Sequence, residues 1–209
     1  MLDIYDENMD CLGTAARSKV HTQGFWHKTF HCWFISKEAG TPYLWVQKRS
    51  AGKADFPGLL DITAARHLNA GESDRDGINN ISRELGVSLD FEDVIYLGIR
   101  TYAEKRGAFF NREFNSVYLY DSPYTLDDFD PQPNEASGIL KIAVEDGLKL
   151  FSGRAVEVSA VGSFLADGRK KACPVKITAE DFVHRVDNYY QKIFTAAREY
   201  FEGNRKLSI

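Results

Sequence analysis

Three histidines are the side chains with the clearest potential for metal chemistry. His21 and His27 flank an aromatic pair just ahead of an apolar run, and His67 follows a second apolar run. Neutral imidazole suits Mn²⁺, Fe²⁺ or Zn²⁺, and three imidazoles with one carboxylate would make a transition-metal site. The same spacing also fits histidines that only make structural hydrogen bonds, the commoner role for each one taken alone. His31, inside the first apolar run, is assigned that structural role.

Residues 57–87 are predicted to form a strand, a loop and a helix that position one of these histidines. The run LDIT is apolar and β-branched, as in a strand, and 64–71 is read as a loop that contains His67. Ser73, with Asp76 three residues later, is typical of a helix start, and a glycine ends the pattern. Spacings of three and four residues give this helix an apolar stripe and a polar face, and the polar face consists of Asn80, Arg83 and Glu84.

Composition limits the class of protein. At 209 residues with 44% hydrophobic content, the chain suits one domain with additions. A formal net charge of −4 does not favour binding to nucleic acid or to an anionic membrane. The chain shows neither a signal peptide nor an apolar run of about 18 residues, so a cytoplasmic location is expected. Three cysteines without CxxC spacing fit free thiols in a reducing compartment.

Further strands and two more helices are predicted along the rest of the chain. The polar segment 17–26 is given no element, and neither is the glycine-rich segment 153–174. A helix cap at 178–181 is followed by apolar residues at helical spacing over 182–200, which predicts a long amphipathic helix. A short helix is predicted at 145–151. Strands are predicted near the start of the chain and at 27–36, 43–48, 94–100, 115–120 and 138–144.

The strand, loop and helix of 57–87 resemble the Nudix box. Glu72 matches the first glutamate of that pattern, and Glu84 to Val87 match its end. Six residues separate Glu72 from Asn79, where the general pattern has about seven. That shortening resembles a branch similar to isopentenyl-diphosphate isomerase.

The chain also departs from the Nudix pattern. Arg66 stands at the opening glycine, Asn79 and Asn80 stand at the Arg-Glu pair, and Arg83 replaces the first of two final glutamates. Of the three helix carboxylates that usually hold divalent metals in the family, only Glu84 remains. The multi-metal arrangement of ordinary Nudix hydrolases is therefore compromised.

The resemblance to the isomerase branch implies a metal site. There a single metal is held by three histidines and two glutamates, and His21, His27 and His67 fall on the matching stretches. Glu113 matches one of the glutamates, while Asn111 stands at the other position. The implied cofactor is Mg²⁺ or Mn²⁺.

The same resemblance implies a diphosphate site. Arg49 and Lys53 match basic residues that bind the diphosphate, and Glu84 matches the carboxylate that helps hold magnesium on it. Glu72 is a further catalytic candidate, with a loop or helix-cap role as its alternative. Additional carboxylates with weaker support are Glu104 and Glu135.

Three functions remain open. Hydrolysis of a small diphosphate-containing substrate ranks first, with Glu72, Glu84 and Glu113 as catalytic residues, because that is the usual chemistry of the fold. A divergent isopentenyl-diphosphate isomerase is the second, although Ala65 stands where that family has its acid/base cysteine, and all three tryptophans lie early in the chain. A ligand-binding protein with impaired catalysis is the third.

The expected architecture is an α/β Nudix fold, a mixed sheet sandwiched between helices, with a C-terminal helical extension. Residues 1–152 are expected to form the Nudix domain and 153–209 the extension. The expected partner is a small diphosphate-containing molecule, without nucleic acid or membrane, and a homodimer is left open.

Overall fold

A mixed sheet of nine strands, counted in the part of the chain that is described, carries the candidate site and has helices on both faces. The computed structural model describes residues 1–166 and 169–209. Its elements are β1 (Leu2–Tyr5), β2 (Cys11–Ala15), α1 (Arg17–Gln23), β3 (His27–Glu38), β4 (Thr41–Arg49), β5 (Leu60–Ile62), β6 (Ala64–His67), α2 (Asp74–Leu85), β7 (Val94–Arg106), β8 (Phe109–Asp121), β9 (Ala136–Ala143), α3 (Val144–Phe151), β10 (Glu157–Ala166), β11 (Arg169–Thr178) and α4 (Tyr189–Phe201).

The order of the strands brings distant parts of the sequence together. The sheet runs β11-β10-β9-β4-β3-β8-β7, while β5 pairs with β4 and β6 pairs with β3. Strands β3 and β8 are parallel, and their register places His27 opposite Glu113. The antiparallel pair β3 and β6 places Thr29 opposite His67. Because β3 lies between β6 and β8, the three strands that carry candidate site residues are neighbours in the sheet. This arrangement agrees with the predicted α/β fold.

Strand β3 is buried on both faces and separates two hydrophobic cores. Successive side chains of a strand point to opposite faces. Phe30 and Phe34 belong to the core under α2, whereas Trp33 and Ile35 belong to the core under α3 and α4. All four side chains are fully buried. Truncating one of the aromatic side chains to alanine would cost about 3–5 kcal/mol of folding free energy.

Helix α2 begins and ends where the sequence predicts. The Ser73 amide donates to the Asp76 carboxylate at 2.8 Å, which closes a capping box. Gly86 ends the helix in the left-handed conformation, with φ of 77°. Gly77 lets the helix lie close to the sheet, because a Cβ atom there would come within 2.6 Å of Phe30 Cγ.

Two local predictions near the site are wrong. The segment 17–26, predicted to have no element, contains α1, which buries Val20 and His21. The segment 64–71, predicted as a loop, begins with strand β6, because its backbone pairs with β3. The predicted strands at 94–100 and 115–120 are the inner parts of β7 and β8, whose hairpin extends to Arg106 and Phe109.

The C-terminal part also differs from its prediction. Residues 153–174, left without an element, contribute the β10–β11 hairpin to the main sheet. The cap at 178–181 is confirmed, but it opens a short 3-10 turn, and α4 begins only at Tyr189. The Val183 amide donates to the Leu60 carbonyl at 2.9 Å, so this backbone extends the contacts of the sheet and is not helical. The division into 1–152 and 153–209 stays a prediction.

In the described ranges of the chain, no helix is long and apolar enough to cross a membrane.

Candidate active site

A cavity of about 420 Å³ opens between β3, β6, β8 and the start of α1. Most of the predicted site residues line it, namely His21, His67, Glu113, Glu84, Arg49 and Lys53. Its walls carry six basic and five acidic side chains, and several of these form ion pairs with one another. The basic residues are Arg17, Arg49, Lys53, Arg66, Arg106 and Arg185, and the acidic residues are Asp55, Asp61, Glu84, Glu113 and Glu135.

Three predicted histidines meet at one end of this cavity. His21 comes from α1, His27 begins β3, and His67 ends β6. One ring nitrogen from each lies within 4.8 Å of the other two. The Nε2 atoms of all three are buried, and none has a hydrogen-bond partner among the described residues. A buried nitrogen without a partner is costly, so this cluster requires a ligand or a water.

Backbone carbonyls fix the tautomers of two of these rings. Nδ1 of His27 lies 3.1 Å from the Phe25 carbonyl oxygen, and Nδ1 of His21 lies 3.4 Å from that of Phe110. A carbonyl only accepts, so each Nδ1 carries the hydrogen and each Nε2 keeps a free lone pair. Metal-ligating histidines generally donate their second N–H in this way. The rings therefore present the tautomer that a divalent metal needs.

Glu113 lies beside this cluster. Its Oε1 atom is 3.8 Å from His67 Nε2 and 3.9 Å from His27 Nε2, and Asn115 donates to its other oxygen at 2.9 Å. Burial alone would raise the pKa of Glu113, but in acid the neighbouring imidazoles, His67 first, are protonated before it, and their charge and that of Arg185 lower this pKa. The carboxylate is therefore ionised at neutral pH.

Burial keeps the imidazoles neutral. It lowers the pKa of His21 and His27, and it lowers the pKa of His67 to about 3 although Glu113 opposes the shift. Neutral imidazoles and an ionised carboxylate are the donor set of a divalent transition metal. Asn111 adds a buried amide oxygen, Oδ1, that has no partner among the described residues. The residues present fit such a metal.

The other end of the cavity lies against α2. Burial raises the pKa of Glu84, and the charge of Glu135 raises it further, while Arg66 and Lys53 act in the opposite direction. Lys53 is paired with Glu135. Glu135, a weaker candidate in the sequence, thus lies with Glu84 and Lys53 in one group of charges.

Two predicted residues are engaged with the protein itself. Arg49 lines the cavity, but it donates to Asp61 at 3.1 Å and to the Asp55 carbonyl at 2.8 Å. Glu72 does not line the cavity; it accepts from Arg66 at 2.9 Å and from the Asn69 amide at 2.8 Å. Burial would raise the pKa of Glu72, but these contacts lower it. Its geometry matches the loop-bracing alternative, and its catalytic role stays a prediction.

Several charged residues of the cavity were not predicted. Asp61 is only 5% exposed in the structure. The sequence did carry a signal for it, because this aspartate interrupts the apolar run LDIT. Arg185 falls within the long amphipathic helix that the sequence predicts over 182–200, and that prediction gives it no role at the site. Arg66 Nη1 and Arg185 Nε are buried without hydrogen-bond partners in the described residues, so two guanidinium groups hold a free donor at one cavity, while Arg106 Nε lies 3.3 Å from the Glu104 carboxylate.

Comparison with known proteins places the chain in a family. It is 31% identical over 196 residues to an uncharacterized Nudix hydrolase of Clostridium acetobutylicum, a match that covers 93% of this chain and 95% of that protein. This chain belongs to the Nudix hydrolase family. Nudix hydrolase 3 of Arabidopsis thaliana is 33% identical over 135 residues, which are 62% of this chain but only 17% of the plant protein.

A solved structure supports the Nudix fold. A protein of Deinococcus radiodurans superposes with a TM-score of 0.53 at 20% identity, covering 73% of this chain and 88% of that one. No family model matches the chain. The mixed sheet with flanking helices is thus the Nudix architecture.

Two side chains that depart from the Nudix box pattern form hydrogen bonds within α2. Asn80 donates to the Asp76 carbonyl at 2.8 Å, and Arg83 donates to the Asn80 amide oxygen. Asn79 is exposed. Glu84 is therefore the carboxylate that the Nudix helix directs to the cavity.

Proposed function

We propose that this chain is a metal-dependent Nudix hydrolase of a small diphosphate-containing substrate. One observation carries the proposal: three imidazoles with free Nε2 atoms and the Glu113 carboxylate meet at the end of a cavity in which two arginines also hold unpartnered N–H donors. An anionic substrate and a divalent metal together would satisfy these groups. Nudix hydrolases generally use divalent metal ions, which agrees with this donor set.

A metal would be held by His21, His27, His67 and Glu113. When bound, it would neutralise phosphate charge and lower the pKa of an attacking water. The two imidazoles bonded to backbone carbonyls hold their lone pairs in place. Since imidazole suits Mn²⁺ better than Mg²⁺, we expect this end to prefer Mn²⁺.

The second end of the cavity supplies the acid and base groups. Glu84, with its pKa raised by burial and by Glu135, is a stronger base than an ordinary glutamate and is suited to accept a proton. Carboxylates at this end can also hold Mg²⁺ on the diphosphate. Lys53 and Arg49 lie where they can bind phosphate oxygens, and Glu72 positions Arg66.

Product release from a panel of nucleoside, sugar and isoprenoid diphosphates, with Mg²⁺ or Mn²⁺, tests the proposal. We expect release of phosphate or a monophosphate from at least one substrate, and its loss in Glu113→Gln. His184→Ala is a matched control, because His184 is an exposed histidine that does not line this cavity. Binding of diphosphates without turnover would instead favour the impaired, ligand-binding alternative.

The histidine cluster also fits the second candidate, an isomerase of isopentenyl diphosphate, which the sequence resembles. That reaction needs two acid/base groups on opposite faces of an alkene, each worth about 10²- to 10⁴-fold. Ala65, a cavity residue, cannot supply one of them. We therefore expect no deuterium uptake when the protein is incubated with isopentenyl diphosphate in D₂O. Rapid incorporation with formation of dimethylallyl diphosphate would place the isomerase first.

A further inference from the structure

The segment that leads into α4, together with the first residue of that helix, contacts the cavity and its surroundings. Arg185 lines the cavity and donates to Asp61 at 2.8 Å. Asp187 accepts from Arg100 at 2.8 Å and 2.9 Å, and the hydroxyl of Tyr189, where α4 begins, lies 2.9 Å from Nδ1 of His31, another cavity residue. Through Arg185, the C-terminal part of the chain contributes to the cavity wall.

Among the cavity arginines that have a buried N–H without a partner, Arg185 has the most buried side chain. Its side chain is 11% exposed, and Nε has no partner among the described residues. Asp61, its partner, is shared with Arg49, so one carboxylate faces two guanidinium groups. The Glu113 carboxylate also acts on Arg185, so charge is balanced at this wall, and what Arg185 leaves unsatisfied is its Nε–H donor. A buried donor without a partner is costly, so this position suits an acceptor such as a phosphate oxygen.

A second free donor is provided by His31. The Trp33 indole donates to the Tyr189 hydroxyl at 3.0 Å, and no acceptor for that hydroxyl other than His31 Nδ1 is found in the described residues. The hydroxyl hydrogen therefore goes to Nδ1, which leaves the ring hydrogen of His31 on Nε2. His31 lines the cavity opposite Ala65, whose short side chain leaves room above the ring.

We propose that Arg185 and His31 form a subsite for the non-bridging oxygens of the substrate's phosphate, beside Glu113. This rests on the proposed function, because it assigns a diphosphate to the same cavity. Arg185 offers a fixed fork that matches phosphate oxygens, and His31 offers one neutral N–H. Arg49 and Lys53, the residues predicted to bind phosphate, line the same cavity, so Arg185 and His31 add to them. The segment 182–189 thereby takes part in substrate selection.

Calorimetric titration of the full chain with inorganic pyrophosphate, in the presence of Mg²⁺, tests this subsite. We expect Arg185→Gln to weaken pyrophosphate binding about 10- to 100-fold, since a charge-assisted, bidentate contact is lost. Arg154→Gln removes the same charge from an exposed arginine outside the cavity and should bind like the unaltered protein. Binding by Arg185→Gln that equals the control would overturn the subsite, and so would failure of the unaltered protein to bind pyrophosphate.

A further variant guards against loss of folding. Arg185→Lys keeps the charge beside Asp61 but loses the planar guanidinium group, and we expect an intermediate affinity for pyrophosphate. Wild-type affinity in this folded variant would contradict the role of the guanidinium group.

The two proposals fail separately. Weakened pyrophosphate binding in Arg185→Gln, without hydrolysis of any diphosphate by the unaltered protein, would support the subsite and overturn the hydrolase. Hydrolysis with unchanged KM and pyrophosphate affinity in Arg185→Gln would support the hydrolase and overturn the subsite.

Discussion

His67 and Glu113 lie on opposite sides of β3, and their side chains meet with 3.8 Å between Nε2 and Oε1. One residue ends β6 and the other lies in β8, so the contact depends on the sheet and not on sequence proximity. His27, at the start of β3, fills the space between them. The three side chains form a donor set only when all three strands are paired, which couples ligand binding at this point to folding.

Metal binding should therefore raise thermal stability. We expect Mn²⁺ at about 100 times its dissociation constant to add about 2.7 kcal/mol to the free energy of unfolding. His67→Ala should abolish this gain, because it removes one of the converging ligand atoms. Thermal unfolding followed by circular dichroism, with and without Mn²⁺, measures both effects. The exposed His184 provides the control variant, and an equal gain in His67→Ala would show that Mn²⁺ binds elsewhere.

Glu84→Gln should separate activity from stability. Burial and Glu135 raise the pKa of Glu84 in the folded state, so the ionised carboxylate is destabilising there. The folded protein then holds the Glu84 proton more tightly than the unfolded chain, and stability falls as pH rises through the raised pKa. We expect Glu84→Gln to unfold at an equal or slightly higher temperature at pH 7 and to lose Mg²⁺-dependent turnover.

The pH dependence provides the check on that interpretation. Below the ordinary glutamate pKa the carboxylate is protonated in both states, so the difference in stability between Glu84→Gln and the unaltered protein should shrink there. Urea unfolding at several pH values between about 4 and 7 measures it. A large loss of stability at pH 7 would make Glu84 a structural residue.

The fold and most members of the histidine–carboxylate cluster could be predicted from the sequence. The continuous apolar and aromatic run of β3 and the capping box of α2 are local patterns, so they could be recognised without contacts. The three histidines were grouped through a family resemblance, since their spacing in sequence holds no information about distance. Glu113 joined them for the same reason.

Other features depended on tertiary contacts. Arg185 was missed because the apolar spacing of 182–200 is helical, while the backbone of Val183 is bound to Leu60. Periodicity cannot register a backbone hydrogen bond to a strand far away in sequence. Glu72 was selected by its position in a motif, which holds no information about its contacts; in the folded chain it bonds Arg66 and Asn69, and its catalytic role stays a prediction.

Gly77→Ala should destabilise the protein although alanine favours helices. The added Cβ would lie 2.6 Å from Phe30 Cγ, and overpacking of this kind costs about 1–3 kcal/mol. The gain in helix propensity, about 1 kcal/mol, offsets only part of it. Urea unfolding gives the difference. Asn79→Ala, on the exposed face of the same helix, should be neutral or stabilising. Equal stability of Gly77→Ala would mean that α2 can move away from the sheet.

Tyr189→Phe should affect both stability and the site. Removing the hydroxyl leaves the buried Trp33 indole N–H and His31 Nδ1 without their partner, which costs about 1–3 kcal/mol in unfolding free energy. It also removes the hydrogen bond that fixes the tautomer of His31, so the ring hydrogen is no longer held on Nε2, the nitrogen that donates to the substrate. We expect KM for the best diphosphate substrate to rise several-fold. Tyr200→Phe is the matched control, because its hydroxyl bonds Asp121 at an exposed position. A destabilised Tyr189→Phe with unchanged KM would leave Tyr189 a structural role and remove His31 from the substrate site.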